Sequence, residues 1–185
     1  MREIEIKLKA GNFTELERKL GEKGRELSKP ISQHDVIYAL KGSANEFSQA
    51  KEGDIIMRIR RMKDKIQLNL KQQRSNEGDN LEYETEIDDA EETSKILETL
   101  GWVPMIEVRK IRRKGKLGIY EICLDDVEKL GTYVELEKLC PDDANPEKVR
   151  EELFKELEML GLSRADEELR GYDTQIYQLE LKNNT

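Results

Sequence analysis

Cysteine is scarce: Cys123 and Cys140 are the only two, and they fit no metal-ligand or redox spacing. A disulfide-stapled scaffold, a zinc ribbon and a dithiol redox centre are excluded, and both residues read as free thiols. Histidine is scarcer still. His34 stands alone and reads as a polar strand or loop position instead of a general base. Long apolar runs are missing, and no stretch approaches the roughly 18 residues of a membrane span. The N-terminus has no apolar segment of the kind a signal peptide carries. A soluble, cytoplasmic protein with no membrane partner is expected. An excess of positive charge is also absent: 32 basic residues face 40 acidic ones, a net of −8. That argues against a nucleic-acid partner and an anionic lipid surface, while leaving room for a local cationic pocket.

What the chain has is charge and period. Charged residues make up 39% and hydrophobic residues 36%, yet the apolar positions recur regularly, so the chain is polar without being disordered. Its 185 residues suit one domain spanning 1–185 with a substantial core. Period-two alternation predicts strands at about 2–9, 33–40, 54–62, 65–73, 81–88, 105–113, 117–124 and 131–139. Helices are expected after Asn12, with Glu15 completing a capping box, and after Asp89, with Glu92 doing the same. Phe13, Leu16 and Leu20 would form the first apolar stripe, and Ile96, Leu97 and Leu100 the second. A third helix starts at Asn145-Pro146 and carries Val149, Leu153, Leu157 and Leu160. Ser163 is expected to cap a short last helix ending at Gly171. Segments 41–53 and 74–80 read as loops, and Trp102, after Gly101, as a packing residue.

The strands share one peculiarity. Residues two apart on a strand share a face, so Glu3, Glu5 and Lys7 project together, opposite Ile4, Ile6 and Leu8. Arg58 pairs with Arg60, and Gln67 and Asn69 with Lys71. Glu82, Glu84 and Glu86 form a row, Glu121 and Asp125 share a face with Cys123, and Glu135 goes with Glu137. On 105–113 two pairs have the right period, Lys110/Arg112 and Arg109/Arg113, and a bulge would exchange them. A solvated face is the ordinary explanation for one charged strand. Rows of like charge stacked two and three deep are costly unless opposite charge lies between them. The apolar faces also need cover, which the amphipathic helices supply from outside.

The first strand-helix unit is echoed by "EYETEI" and its helix, and a sheet of two similar halves closes naturally into a barrel. The expected architecture is therefore α+β: a closed eight-stranded antiparallel β-barrel, a tunnel, with amphipathic helices packed outside. Lys7, Arg58, Arg60, Lys71, Lys110 and Arg112 would line it and suit a polyanion such as a triphosphate. The carboxylates oppose that ligand unless they hold divalent cations, and Mg²⁺ or Mn²⁺ bridging phosphate oxygens resolves the conflict.

These residues, in this order, resemble the CYTH family, the triphosphate tunnel metalloenzymes. The resemblance rests on Glu3-x-Glu5-x-Lys7, Arg58-Ile59-Arg60, the Lys71 strand, Glu82-x-Glu84, Lys110-x-Arg112 and "LDDVEKLGTYVELE" at 124–137, and it covers about residues 2–173. The last stretch is similar to the branch of class IV adenylyl cyclases; thiamine and inorganic triphosphatases also belong to the family. The chain departs from the family pattern at Ile37-Tyr38, in loop 41–53 and at Gly171-Tyr172. The resemblance implies that Glu5, Glu135 and Glu137 are principal metal ligands, with Glu3 and Asp125 direct or water-mediated ones. It implies that the six cations hold the phosphates and carry catalysis, with Glu82 and Glu84 on the substrate-binding wall. Tyr172 stacks on a base, caps the tunnel or simply packs.

The expected substrate is a small triphosphate: ATP, thiamine triphosphate or tripolyphosphate. Cyclisation of ATP to cyclic AMP and pyrophosphate is the leading reaction and hydrolysis of the terminal phosphate the alternative; a non-catalytic nucleotide or polyphosphate sensor is a third. Both a monomer and a homodimer fit. If opposed charges line a tunnel, Mg²⁺ with tripolyphosphate should raise the melting temperature. Removing both, with a chelator and desalting, should lower it; an unchanged melting curve would count against the charged faces pointing inward.

Overall fold

The computed structural model describes residues 1–43, Phe47, Gln49 and 51–183. Its strands are β1 (Arg2–Lys9), β2 (Ile31–Leu40), β3 (Ile55–Arg61), β4 (Ile66–Gln73), β5 (Asp79–Ile87), β6 (Trp102–Leu117), β7 (Tyr120–Val127) and β8 (Gly131–Cys140). They close into an antiparallel barrel in the order β1-β5-β4-β3-β2-β6-β7-β8, with β8 pairing back to β1. Four helices accompany it: α1 (Thr14–Glu22), α2 (Ala90–Thr99), α3 (Pro146–Met159) and α4 (Tyr172–Asn183). Among the described residues no helix is long and apolar enough to cross a membrane.

Period two decides which residues face out. Ile4, Ile6 and Leu8 of β1 and Leu136 of β8 turn outward and are buried by helices, with Leu16 and Leu20 of α1 and Leu153 and Leu157 of α3 in the same cluster. Each fully buried Leu or Ile contributes about 1.5–3 kcal/mol, so this outer layer supplies much of the hydrophobic stability, beside a cluster of Ile37, Val108, Tyr133 and Ile176 towards α4. Helix α3 starts where the sequence says it should: Asn145 Oδ1 accepts from the Lys148 N–H at 2.9 Å, with Pro146 at the first position. Asp89 caps α2 by accepting from the Glu92 N–H at 2.9 Å, and Gly101 ends it at φ 89°. A second outer cluster sets Ala90 and Leu97 of α2 against Tyr38 and Ile59.

Several expected boundaries move. Asn12 does not cap α1: Phe13 occupies that position without a side-chain cap, and Asn12 accepts from the Thr14 N–H at 3.1 Å, a local turn that competes with the cap. On α2 only Leu97 of the expected stripe is buried; Ile96 and Leu100 are exposed, since a ten-residue helix on a curved barrel touches it along one line. Strand β6 is longer than expected because its charged stretch continues pairing, with β7, beyond the apolar alternation. Ser163 caps only a 3₁₀ turn, Arg164–Asp166, and Gly171 precedes a helix instead of ending one, so the polar tail becomes α4. Within loop 41–53, Ala44, Asn45, Glu46, Ser48 and Ala50 lie outside the described residues.

One buried ion pair bolts β1 to its surroundings. Arg2 donates from Nε and Nη2 to Asp79, both at 2.8 Å, and from Nη1 to the carbonyls of Asp142 and Ala144. Burial opposes ionisation of Asp79, but Arg2 and Ser75 outweigh it and hold the carboxyl below its usual range. The pair therefore stabilises the fold above the unfolded-state value of about 4, and that stabilisation disappears as pH falls through the lower native value. Asp79→Asn leaves the guanidinium buried and uncompensated and should cost about 3–5 kcal/mol. Urea titrations at pH 7 and pH 3 check both effects, the difference between variant and wild type shrinking at the lower pH.

Candidate active site

Neighbouring strands bring the inward rows into layers. Arg60 of β3 stands opposite Asp35 of β2 and Gln67 of β4, while Arg58 stands opposite Ile37 and Asn69. Lys71 faces Glu82 across β4–β5, Arg112 faces Asp125 across β6–β7, and Lys7 faces Glu135 and Glu5 faces Glu137 across β1–β8. Lys110 and Arg112 are buried and Arg109 is exposed, so β6 turns the Lys110/Arg112 pair inward. Arg113 leaves the tunnel for Glu17 of α1 and the Ser28 carbonyl. The enclosed space is about 200 Å³ and is bordered by Glu3, Glu5, Lys7, Arg58, Arg60, Lys71, Glu82, Glu84, Lys110, Arg112, Glu135 and Glu137. Asp125 lies just behind this lining, fully buried. Glu84 and Glu86 of the expected rows are exposed: Glu84 still borders the space, while Glu86 lies near Lys65 at the barrel rim.

The cations are densest on β3 and β6, and buried carboxylates hold them. Asp125 accepts from Arg112 Nε at 2.6 Å and from Lys110 Nζ at 2.9 Å, and Arg112 also meets Glu135. Burial opposes charge on Asp125, yet the two cations outweigh it and keep its carboxyl far below the usual range. Burial and the neighbouring Arg112 pull the Lys110 ammonium down, so Lys110 depends on Asp125 for its charge. Glu135 follows Asp125: burial resists ionisation and Arg112 wins. Lys71 pairs with Glu82, and Glu84 accepts from the amides of Gln67 and Asn69, the latter at 2.6 Å.

The opposite wall is acidic and lacks such partners. Glu3, Glu5 and Glu137 each place a carboxylate oxygen within 4.8 Å of the others. None of the three forms a salt bridge among the described residues. Burial raises the carboxyl pKa of all three, and mutual repulsion adds to it: Glu82 acts on Glu3, Glu135 on Glu5 and Glu3 on Glu137. Three converging hard oxygen donors, none in a salt bridge among the described residues, match the donor type Mg²⁺ or Mn²⁺ takes. A second group, Glu121, Cys123 and Glu137, shares Glu137, but Glu121 is taken by Lys114 and Lys116. Burial pushes the Cys123 thiol up. Of the residues expected to ligate metal, Glu3, Glu5 and Glu137 are thus gathered, while Asp125 and Glu135 stand with the cations.

At one mouth α4 closes over the tunnel. The Tyr172 ring lies between the ammonium groups of Lys7 and Lys110, 4.7 and 4.9 Å from its centroid, and packs on Tyr133 at 5.2 Å. Its hydroxyl approaches Glu135 but closes no well-aligned hydrogen bond. Glu77, from the β4–β5 loop, accepts from Thr174 Oγ1 at 3.0 Å and from the Gly171 N–H, satisfying the helix's first turn. Sequence reasoning missed Asp35, Lys114 and Glu77. The first two had a signal: Gln33 and Asp35 share a parity, as do Lys110, Arg112 and Lys114. Glu77 sits in a loop, where no period exists to reveal it.

A barrel tunnel with a cationic wall facing a carboxylate cluster that forms no salt bridge defines the class of the chain by its fold and donor sets: guanidinium and ammonium groups suited to an anion, carboxylates suited to a hard cation. The chain belongs to the CYTH domain family, whose pattern it matches over residues 1–172. It is similar to a Methanocaldococcus jannaschii protein provisionally named an adenylate cyclase, 31% identical over 89% of this chain and 92% of that one. A Pyrococcus horikoshii protein of solved structure superposes with a TM-score of 0.77 at 27% identity, covering 97% of this chain and 99% of that one. A Hippeastrum protein, provisionally called an adenylyl cyclase and described as having a dominant triphosphatase activity, superposes at 0.65 with 20% identity, covering 97% and 95%, a likeness of fold.

Replacing one carboxylate of the unpaired cluster separates its roles. Glu137→Gln should leave the metal-free barrel as stable as wild type, within about 1 kcal/mol, because it removes repulsion and no ion pair. It should also abolish the rise in melting temperature on adding Mn²⁺. Destabilisation without metal would instead identify Glu137 as a structural acceptor.

Proposed function

We propose that this chain is a divalent-metal-dependent enzyme acting on a triphosphate-bearing small molecule, and that its reaction is cyclisation of ATP to cyclic AMP and pyrophosphate. The separation of charge across one cavity carries this reading: Arg58, Arg60, Lys110 and Arg112 on one side, and Glu3, Glu5 and Glu137, which form no salt bridge among the described residues, on the other. A bare triphosphate would meet those carboxylates repulsively. Mg²⁺ or Mn²⁺ held by them would neutralise charge on the phosphoryl oxygens. The chain's own cations bind the non-bridging oxygens and oppose the charge that grows on the departing pyrophosphate as the 3′-hydroxyl attacks the α-phosphorus. Lys7 and Arg58 are the least committed of the six: Lys7 forms no salt bridge among the described residues, and Arg58 only a 3.7 Å contact to Asp35. We assign Glu3, Glu5 and Glu137 to the metal, with Glu135 and Asp125 adjoining them through Arg112. The name of the Methanocaldococcus relative supports the cyclase reading.

Hydrolysis of the terminal phosphate is the second reading, favoured by the activity described for the Hippeastrum protein, whose fold this chain shares. It uses the same walls with the phosphate chain moved in register. Incubation with Mg²⁺ or Mn²⁺ and ATP, thiamine triphosphate or tripolyphosphate, with products resolved by chromatography, separates the two. Cyclic AMP with pyrophosphate is expected, and orthophosphate would establish the hydrolase. Tight binding of all three without turnover would refute both and leave a sensor.

A further inference from the structure

Asp35 belongs to no motif in the sequence, yet it borders the tunnel with both arginines of β3. It is 3% exposed, and its two oxygens accept from Arg60 Nε at 2.7 Å and Nη2 at 2.6 Å. Arg58 Nη1 stands 3.7 Å from the same carboxylate, and Arg58 Nε donates to Asn69 Oδ1 at 3.4 Å. The two guanidiniums are therefore held unequally, Arg60 by a fork and Arg58 by long contacts.

Side chains two apart on a strand leave the backbone about 7 Å from each other, and both arginines reach the same cavity. Left alone, each would swing towards whatever anion lay nearest, since a guanidinium accepts carboxylate and phosphate with similar geometry. A short carboxylate prevents this. Asp35 sits on a strand paired on both sides, to β3 and to β6, so its position is fixed by the ladder. The fork occupies one edge of Arg60 and leaves Nη1 for the cavity.

We propose that Asp35 is a positioning residue that clamps Arg60, so that Arg58 makes the bidentate contact to the phosphate chain and Arg60 supplies a single fixed donor. The inference rests on the triphosphate reading above. It gives Asp35 a function that outer-layer packing does not: it sets phosphate register by restricting one of two equivalent hands. Releasing Arg60 turns a fixed donor into a second competing fork and adds a net positive charge to the cavity. Ground-state binding tightens while the phosphorus is held out of line, so the changes in binding and turnover have opposite signs.

The test is calorimetric binding of tripolyphosphate in Mg²⁺, beside steady-state turnover of the substrate that wild type uses. Asp35→Asn should bind tripolyphosphate about tenfold more tightly and lower kcat about tenfold or more, with KM reduced. Because the variant leaves a buried guanidinium unpaired, Arg60→Gln and the double variant Asp35→Asn/Arg60→Gln are measured as well. With Arg60 gone, Asp35→Asn should change kcat by no more than twofold, while binding still tightens because Arg58 also feels the lost carboxylate. Weaker or unchanged binding by Asp35→Asn, or a loss of kcat on Asp35→Asn that persists in the Arg60→Gln background, would overturn the proposal and leave the triphosphate reading standing. Failure of wild type to bind tripolyphosphate would overturn that reading, and this one with it.

Discussion

The buried cluster of Asp125, Lys110, Arg112 and Glu135 is the interaction on which the rest of the structure depends. Four ionised groups inside a barrel are tolerable only when each has its opposite within reach, because removing one ion from water costs several kcal/mol. The cluster is drawn from β6, β7 and β8, and its members meet only when those strands pair in the observed register. A slip of one residue would turn Lys110 and Arg112 out and Arg109 and Ile111 in. Buried charge here specifies the register more than it stabilises the fold.

The same constraint explains the helices. With much of the interior given to charge, most apolar faces of the strands point outward and are covered by α1, α2 and α3, while a further apolar cluster of Ile37, Val108 and Tyr133 sits under α4. Helix α4 differs. Its first residue, Tyr172, enters the tunnel and shields Lys7 and Lys110 with an aromatic face, worth about 2 kcal/mol where water is excluded. Glu77 holds the start of that helix. The family match ends at residue 172, where α4 begins.

The legible part of the sequence follows this division. Alternation placed Glu3, Glu5, Lys7, Arg58, Arg60, Lys71, Lys110 and Arg112 on inward faces because period two survives any packing. Capping residues located α2 and α3 because Asp89 and Asn145 satisfy backbone donors locally. Contacts made across long sequence distances were hidden. Glu77 meets Thr174 through a loop and a helix ninety-seven residues apart, and Tyr172 and Ile176 of α4 reach a buried cluster with Ile37, Val108 and Tyr133 from far along the chain. Ile96 and Leu100 show the opposite error: their spacing is helical and apolar, but the barrel surface beneath α2 is too curved to bury them. Asp35 had the right parity and was overlooked because a lone acid on a mixed strand resembles a solvated one.

The two walls also bear on how ligands affect one another. Burial and neighbouring carboxylates raise the pKa values of Glu3, Glu5 and Glu137, so ionising all three together is costly without a cation. A polyanion placed alone against Lys7 and Arg58 meets the same field and is disfavoured. A divalent cation on the acidic wall removes the repulsion and attracts the phosphate, and the phosphate returns the favour by screening the metal. Such coupling is reciprocal by thermodynamic necessity: whatever factor the metal adds to the anion's affinity, the anion adds to the metal's. On the proposed reading, the carboxylates that would repel a bare triphosphate are those that would select a metal-bound one. A barrel with the basic residues alone would bind many anions and discriminate among few.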